Sequence, residues 1–149
     1  MDAVDREIVR LLHADGRMSQ ERVAREVRLS RPAVHERIKR LEERGVIRGY
    51  RALVDWGALG QPLTAFIWVR TEGACGSSAE AIMGLRCEGV TVEECHRVTG
   101  EWCLLLKVRA ASPLALQEVL EEIRDIPEVG GTMTTLALST LYEDNMVRG

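Results

Sequence analysis

The sequence predicts an α+β chain in two parts, and three observations carry that expectation. Over the first 45 positions apolar residues recur at helical spacing in three short runs, each bounded by a capping or turn residue. Beyond a turn-rich stretch at residues 55–62 the period falls to two, the alternation of half-buried strands, with two more helical runs set among them. Charge reverses across the same region. Residues 1–51 hold 13 Lys and Arg against 9 Asp and Glu, a net of +4, whereas residues 52–149 hold 7 against 14, a net of −7. The bland total of −3 conceals two opposed halves.

Val4, Ile8, Leu11 and Leu12 predict a first helix over residues 2–14, stopped by Asp15-Gly16, where glycine accepts the left-handed cap conformation. Ser19 is the expected N-cap of a second helix with Val23, Ala24 and Val27 on its inner face. After a break at Arg28-Leu29, Ser30 caps a third, and Pro32 fits its first turn because that N–H has no helical partner. Val34, Ile38 and Leu41 form the core stripe and Gly45 ends the run. A gap of a few residues between the second and third helices is the connection of a helix-turn-helix. Residues 46–54 read as extended, and Asp55-Trp56-Gly57-Ala58-Leu59-Gly60-Gln61-Pro62 as a boundary, so domains are expected at 1–62 and 63–149.

The second half predicts strands at 63–71, 90–98, 102–110 and 132–140, and helices at 77–86 and after Ser112-Pro113. The order β-α-β-β-α-β is that of a ferredoxin-like sheet with both helices on one face. Leu63, Ala65, Ile67 and Val69 then point one way, and Phe66 and Trp68 point to the helix-free side. Such an apolar patch calls for cover, most simply a second copy of the sheet. The alternative is that the linker or the tail 141–149 folds back over it.

With 46% hydrophobic and 29% charged residues the chain belongs with folded proteins. No apolar run reaches the ~20 residues of a membrane span, and the acidic start does not resemble a secretory signal, so a cytoplasmic protein is expected. Cys75, Cys87, Cys95 and Cys103 form no C-x-x-C pair and are expected as reduced thiols. Neither metal-ligand spacing nor a nucleophile set, P-loop or dinucleotide fingerprint is present, so no metal, cofactor or catalytic residue is expected.

A helix-turn-helix sets its second helix in the major groove of duplex DNA. With Val34 inward, Pro32, His35, Glu36 and Lys39 face away from the core, Arg40 lies to one side, and Arg31 and Arg37 flank the stripe. Arg31, His35 and Lys39 are candidate groove contacts, with Ser30 and Pro32 at the leading end, and Arg37 and Arg40 are counted with them as DNA-binding candidates. Glu36 either accepts from a cytosine amino group or pairs with Arg40. Arg17, Arg22, Arg25, Arg28, Arg48 and Arg51 are candidates for phosphate. The competing reading of this surface is a solvated face on a tri-helical protein-interaction domain.

Asp5-Arg6-Glu7-Ile8, Asp15-Gly16-Arg17, Leu29-Ser30, Val34 and the run from Arg37 to Tyr50 resemble the leucine-responsive/asparagine-synthase-regulator (Lrp/AsnC, feast/famine) transcription factors of bacteria and archaea. Glu94-Cys95-His96-Arg97-Val98-Thr99-Gly100, Ile126-Pro127-Glu128-Val129, Thr132 and Thr134 extend the resemblance over almost the whole chain. It implies a DNA-binding domain, an antiparallel linker strand, and a ferredoxin-like effector domain that dimerises through its sheets, assembles further to octamers, and binds amino acids between dimers. Family members usually carry Gly-Asp-aromatic-Asp in the turn between the second and third strands. Here it reads Gly100-Glu101-Trp102-Cys103, so the second acid is replaced.

Carried over by position, the implied effector residues are Thr99, Gly100, Glu101, Trp102 and Cys103, with Thr132, Thr134 and Leu136 opposite. A buried ammonium needs acceptors, and this turn has one fewer. Two alternatives follow: an effector-independent protein that coats DNA, and a thiol-based redox regulator acting through Cys103. Glu101 beside that thiol argues against the second, since reactive thiols need nearby cations or a helix N-terminus.

Overall fold

Three helices form from the basic part of the chain in a computed structural model whose described residues are 1–143: α1 (Ala3–Ala14), α2 (Gln20–Val27) and α3 (Arg31–Glu43). Asp2 stands just outside α1 rather than within it. Its carboxylate accepts from the Asp5 N–H at 2.8 Å, and Asp5 accepts in return from the Asp2 N–H at 3.2 Å, a reciprocal cap. Ser19 and Ser30 cap as expected, accepting from the N–H groups of Arg22 at 3.1 Å and Ala33 at 3.3 Å. Ile8, Leu11, Leu12, Val23, Ala24, Val34, Ile38 and Leu41 close a core between the helices. Each large aliphatic side chain buried there contributes roughly 1.5–3 kcal/mol. Between α2 and α3 Arg28 adopts φ 57°, the only non-glycine residue with positive φ among the described residues. A side chain in that region costs about 1–2 kcal/mol. The turn accepts it because the Arg28 and Leu29 N–H groups then reach the Ala24 carbonyl and close α2.

The chain parts into two units, Met1–Leu53 and Val54–Leu141. Residues 46–54, expected as extended, form no strand among the described residues. An extended backbone needs a partner strand for its N–H and C=O groups, and at the head of this stretch Val46 and Ile47 instead turn back to donate to the Leu41 carbonyl at 2.9 and 3.1 Å. Tyr50, Leu53 and Val54 are exposed in that stretch.

The second unit follows the order β1 (Leu63–Thr71), α4 (Cys75–Gly84), β2 (Val90–Arg97), β3 (Leu104–Ala110), α5 (Pro113–Arg124) and β4 (Val129–Leu136). Its four strands pair antiparallel in the order β2-β3-β1-β4, the ferredoxin-like arrangement. Ala65, Ile67 and Val69 meet Leu104, Leu106 and Val108 beneath Ile82 of α4 and Leu116, Val119 and Ile123 of α5. Both helices therefore lie on one face. Phe66 and Trp68 point to the other, beside Leu105, Lys107, Met133 and Thr135.

Several predicted bounds move for non-local reasons. Helix α4 begins at Cys75 instead of residue 77, because Ser77 does not cap it. Instead Ser77 donates to the Glu128 carboxylate at 2.6 Å, across 51 residues. Strand β3 starts at Leu104 rather than 102, since the Cys103 N–H is drawn to the Val69 carbonyl at 3.0 Å. The last strand runs Val129–Leu136 rather than 132–140, because Val129 through Leu136 pair with β1, which by then has reached its first residues. The helix-free face is covered at one corner by the linker: Arg109 lies over the Trp56 ring at 5.7 Å. Residues 144–149 of the tail, the other expected cover, lie outside the described residues.

Candidate nucleic-acid interface and ligand site

Helix α3 buries Val34, Ile38 and Leu41 and leaves Arg31, Pro32, His35, Glu36, Lys39 and Arg40 exposed. Those six form a continuous outward surface beginning at the Ser30 cap. Arg17 and Arg28 are likewise exposed, Arg28 in the connecting turn.

Arg37 has a different place. Its guanidinium donates to Asp2 at 2.7 Å and Asp5 at 2.9 Å, fastening α3 to the start of α1. It is a packing residue, not part of the outward face; the helical wheel put it on the flank, and the acids it meets lie more than 30 positions away. Hydrogen bonding to Arg37 is the largest cause holding both carboxyls below their ordinary value of 3.8. A depressed carboxyl stabilises the fold above its unfolded value, and that contribution disappears as pH falls through the folded value. Arg37→Met is therefore expected to unfold at a lower temperature than the parent at pH 7. The gap should narrow below about pH 4, as thermal melts across pH would reveal.

Gln20, which the sequence did not flag, half-buried at the start of α2, brings Oε1 to 3.1 Å from Nδ1 of His35. It joins two helices at the outward surface. No sequence motif signals it, because the pair forms only when the helix-turn-helix closes.

At one end of the sheet the turn between β2 and β3 gathers around Arg70. Arg70 donates to Glu101 Oε1 at 3.2 Å and to the Gly130 carbonyl at 3.0 Å, and lies 5.7 Å from the centre of the Trp102 ring. Gly100 makes the turn with φ 101°. Gly131 lies against the same side chain: a Cβ there would stand 3.1 Å from Arg70 Nη2, and the guanidinium would have to shift by a few tenths of an ångström to admit it. Thr99 is exposed.

Cys103 lies 3.1 Å from the Thr71 hydroxyl. Burial raises its thiol, but hydrogen bonding to the Thr71 side chain and backbone and to Cys75 brings it below the ordinary thiol range. The expected opposition from Glu101 is not among the causes, its carboxylate being bonded to Arg70.

Thr132, Thr134 and Leu136 do not join this cluster within one chain. They pair with Val69, Ile67 and Ala65, whose side chains form the core on the helix side, and Thr132 accepts from Arg124 of α5 at 3.3 Å. Arg70 and the pair Gly130-Gly131, absent from the expected set, take the place opposite Glu101. Two adjacent glycines at the head of a strand were the signal available for them.

Two family models cover the chain. The model described as winged helix-turn-helix DNA-binding matches residues 1–48, and that of the Lrp/AsnC ligand binding domain matches residues 64–147. The chain belongs to the Lrp/AsnC family. Members similar to it include the HTH-type transcriptional regulator LrpA of Mycobacterium tuberculosis, 39% identical over 97% of this chain and 94% of that protein. FL11 of Pyrococcus abyssi, also an HTH-type transcriptional regulator, is 34% identical over 96% of this chain and 93% of its own length. Among solved structures, a feast or famine regulatory protein from M. tuberculosis complexed with L-methionine superposes with a TM-score of 0.88 at 36% identity, covering 98% of this chain and 97% of that one. This Lrp/AsnC protein is thus a transcriptional regulator with a DNA-binding helical unit and a sheet unit of the family's ligand-binding type. Among the described residues no helix is long and apolar enough to cross a membrane.

Proposed function

We infer that this regulator reads a pseudo-palindromic operator as a cytoplasmic homodimer, assembling further to an octamer, and answers to an amino acid or a related small molecule at its sheet domain. It has no catalytic chemistry of its own in this reading. Residues 1–62 serve as reader and linker, and residues 63–149 as effector and assembly domain. The observation that carries the DNA reading is the outward row of α3, Arg31, Pro32, His35 and Lys39, set beyond a fully closed apolar stripe. Ser30, Glu36, Arg40, Arg17 and Arg28 border it, and cations there meet phosphates while the row meets base edges. Dimerisation is supported by Phe66, Trp68, Leu105 and Met133 on the helix-free face, and by the unpaired linker stretch with exposed Tyr50 and Leu53.

For the effector, the cluster of Gly100, Glu101, Trp102 and Arg70 offers a carboxylate, an aromatic wall and a guanidinium at one sheet end. With Thr99 and Cys103 it forms one side of the site, and Thr132, Thr134 and Leu136 contribute from another protomer. The L-methionine complex of the related regulator supports this class of ligand. Titration calorimetry against the twenty amino acids, paired with sedimentation, tests it. Heat from at least one of them, reduced by Glu101→Gln, is the expected result. One observation favours the effector-independent, DNA-coating alternative: Glu101, the one acid left in the turn, is already bonded to Arg70. Absence of heat from all twenty would decide for that alternative.

A further inference from the structure

We propose that Gln20 fixes the tautomer of His35, so that the recognition helix offers a hydrogen-bond acceptor to one base pair of each half-site, one bearing an exocyclic amine at the point of contact. This rests on the reading of α3 as the groove helix. His35 is exposed on the outward row, one helical turn beyond Arg31, and its Nδ1 lies 3.1 Å from Gln20 Oε1. With the Gln20 amide turned so that its oxygen faces the ring, that oxygen can only accept, and the arrangement calls for the hydrogen on Nδ1. Neutral imidazole has a single N–H, and Nε2 is left with its lone pair.

In the major groove the donors are the amino groups of cytosine and adenine; guanine N7 and O6 and thymine O4 are acceptors. An Nε2 lone pair therefore favours C or A and meets G or T with facing lone pairs. Gln20 is fitted to the task because it sits at the first turn of α2, across the helix-turn-helix from α3, and restricts the imidazole to one orientation. It is a positioning residue, with His35 the group that touches the base.

Selection of randomised duplexes by the full-length protein, followed by anisotropy titrations with all four bases at each selected position, tests this. The parent should show one position per half-site preferring C or A over G and T by about fivefold to tenfold, the effect of one hydrogen bond. His35→Ala should flatten that position alone. Gln20→Ala should flatten the same position and leave the others. Gln20→Glu sets a carboxylate against Nδ1–H and favours the doubly protonated ring, whose Nε2–H donates; preference should turn toward G. Loss of affinity in Gln20→Ala that is equal for all four bases marks a backbone contact and overturns the proposal. An unchanged preference in Gln20→Ala and Gln20→Glu also overturns it, while sparing the groove assignment of α3. A parent that selects no sequence at all overturns both. Both residues lie at the surface, and circular dichroism of each variant verifies folding.

Discussion

Arg109→Ala is expected to cost the sheet unit about 3–5 kcal/mol, the loss seen when one member of a buried ion pair is removed. Arg109 is only 6% exposed although it lies on the helix-free face. It pairs with Glu93, donates to the Thr64 hydroxyl at 2.7 Å, and stacks against Trp56. Glu93 reaches it because the register of β2 slips by one residue between Val92 and Glu94, and a bulge re-aims the extra side chain. Alanine at 109 would strand the Glu93 carboxylate in a half-buried place and release Trp56. Thermal unfolding should fall by at least about 10 °C for a unit of this size. The double variant Glu93→Leu, Arg109→Met should recover much of the loss, since replacing both partners by apolar groups removes the desolvation cost along with the attraction. A drop as large in the double as in the single variant would mean that Trp56 packing, not the pair, carries the effect.

The second large effect belongs to DNA. Arg31→Ala combined with Lys39→Ala is expected to weaken operator binding at least a hundredfold, since each base contact contributes about 1–3 kcal/mol and a dimer loses it twice. Any phosphate contact among them would also lower the steepness of the salt dependence by about one per contact. Both residues are exposed, so the melting temperature should hold. Arg37→Met should behave in the opposite way: lower stability from the lost contact with Asp2 and Asp5, with the salt dependence preserved. The contrast separates a cation that meets DNA from one that holds two helices together, and titrations at several salt concentrations measure it.

Local chemistry made much of this architecture legible. Ser19, Ser30 and Ser112 cap their helices where short-range rules put them, and Leu63–Thr71 falls on the predicted strand with its faces correctly assigned. What escaped depends on partners far away in sequence. The Ser77–Glu128 bond moves the start of α4, the Asp2–Arg37–Asp5 contact takes one arginine off the candidate interface, and the bulge in β2 delivers Glu93 to Arg109. At the sheet end proposed for the effector, the resemblance pointed to the turn residues and not to Arg70. A lone arginine at the end of a strand has no local signature, and its role arises only when Glu101, Trp102 and Gly130 converge on it. Thr132 and Thr134 illustrate the reverse case. They match the family pattern in sequence, yet β4 pairing turns them to the helix side in the single chain.

Competition binding shows whether α3 reads sequence in DNA. The full-length protein is titrated with a labelled duplex from its own promoter region, at moderate salt, against unlabelled promoter and unlabelled random duplex. The promoter is expected to compete at least about a thousandfold better than random DNA, the lower end of the range for specific regulators, and Arg31→Ala with Lys39→Ala to collapse the difference. Equal competition by the two duplexes for the parent protein would contradict it.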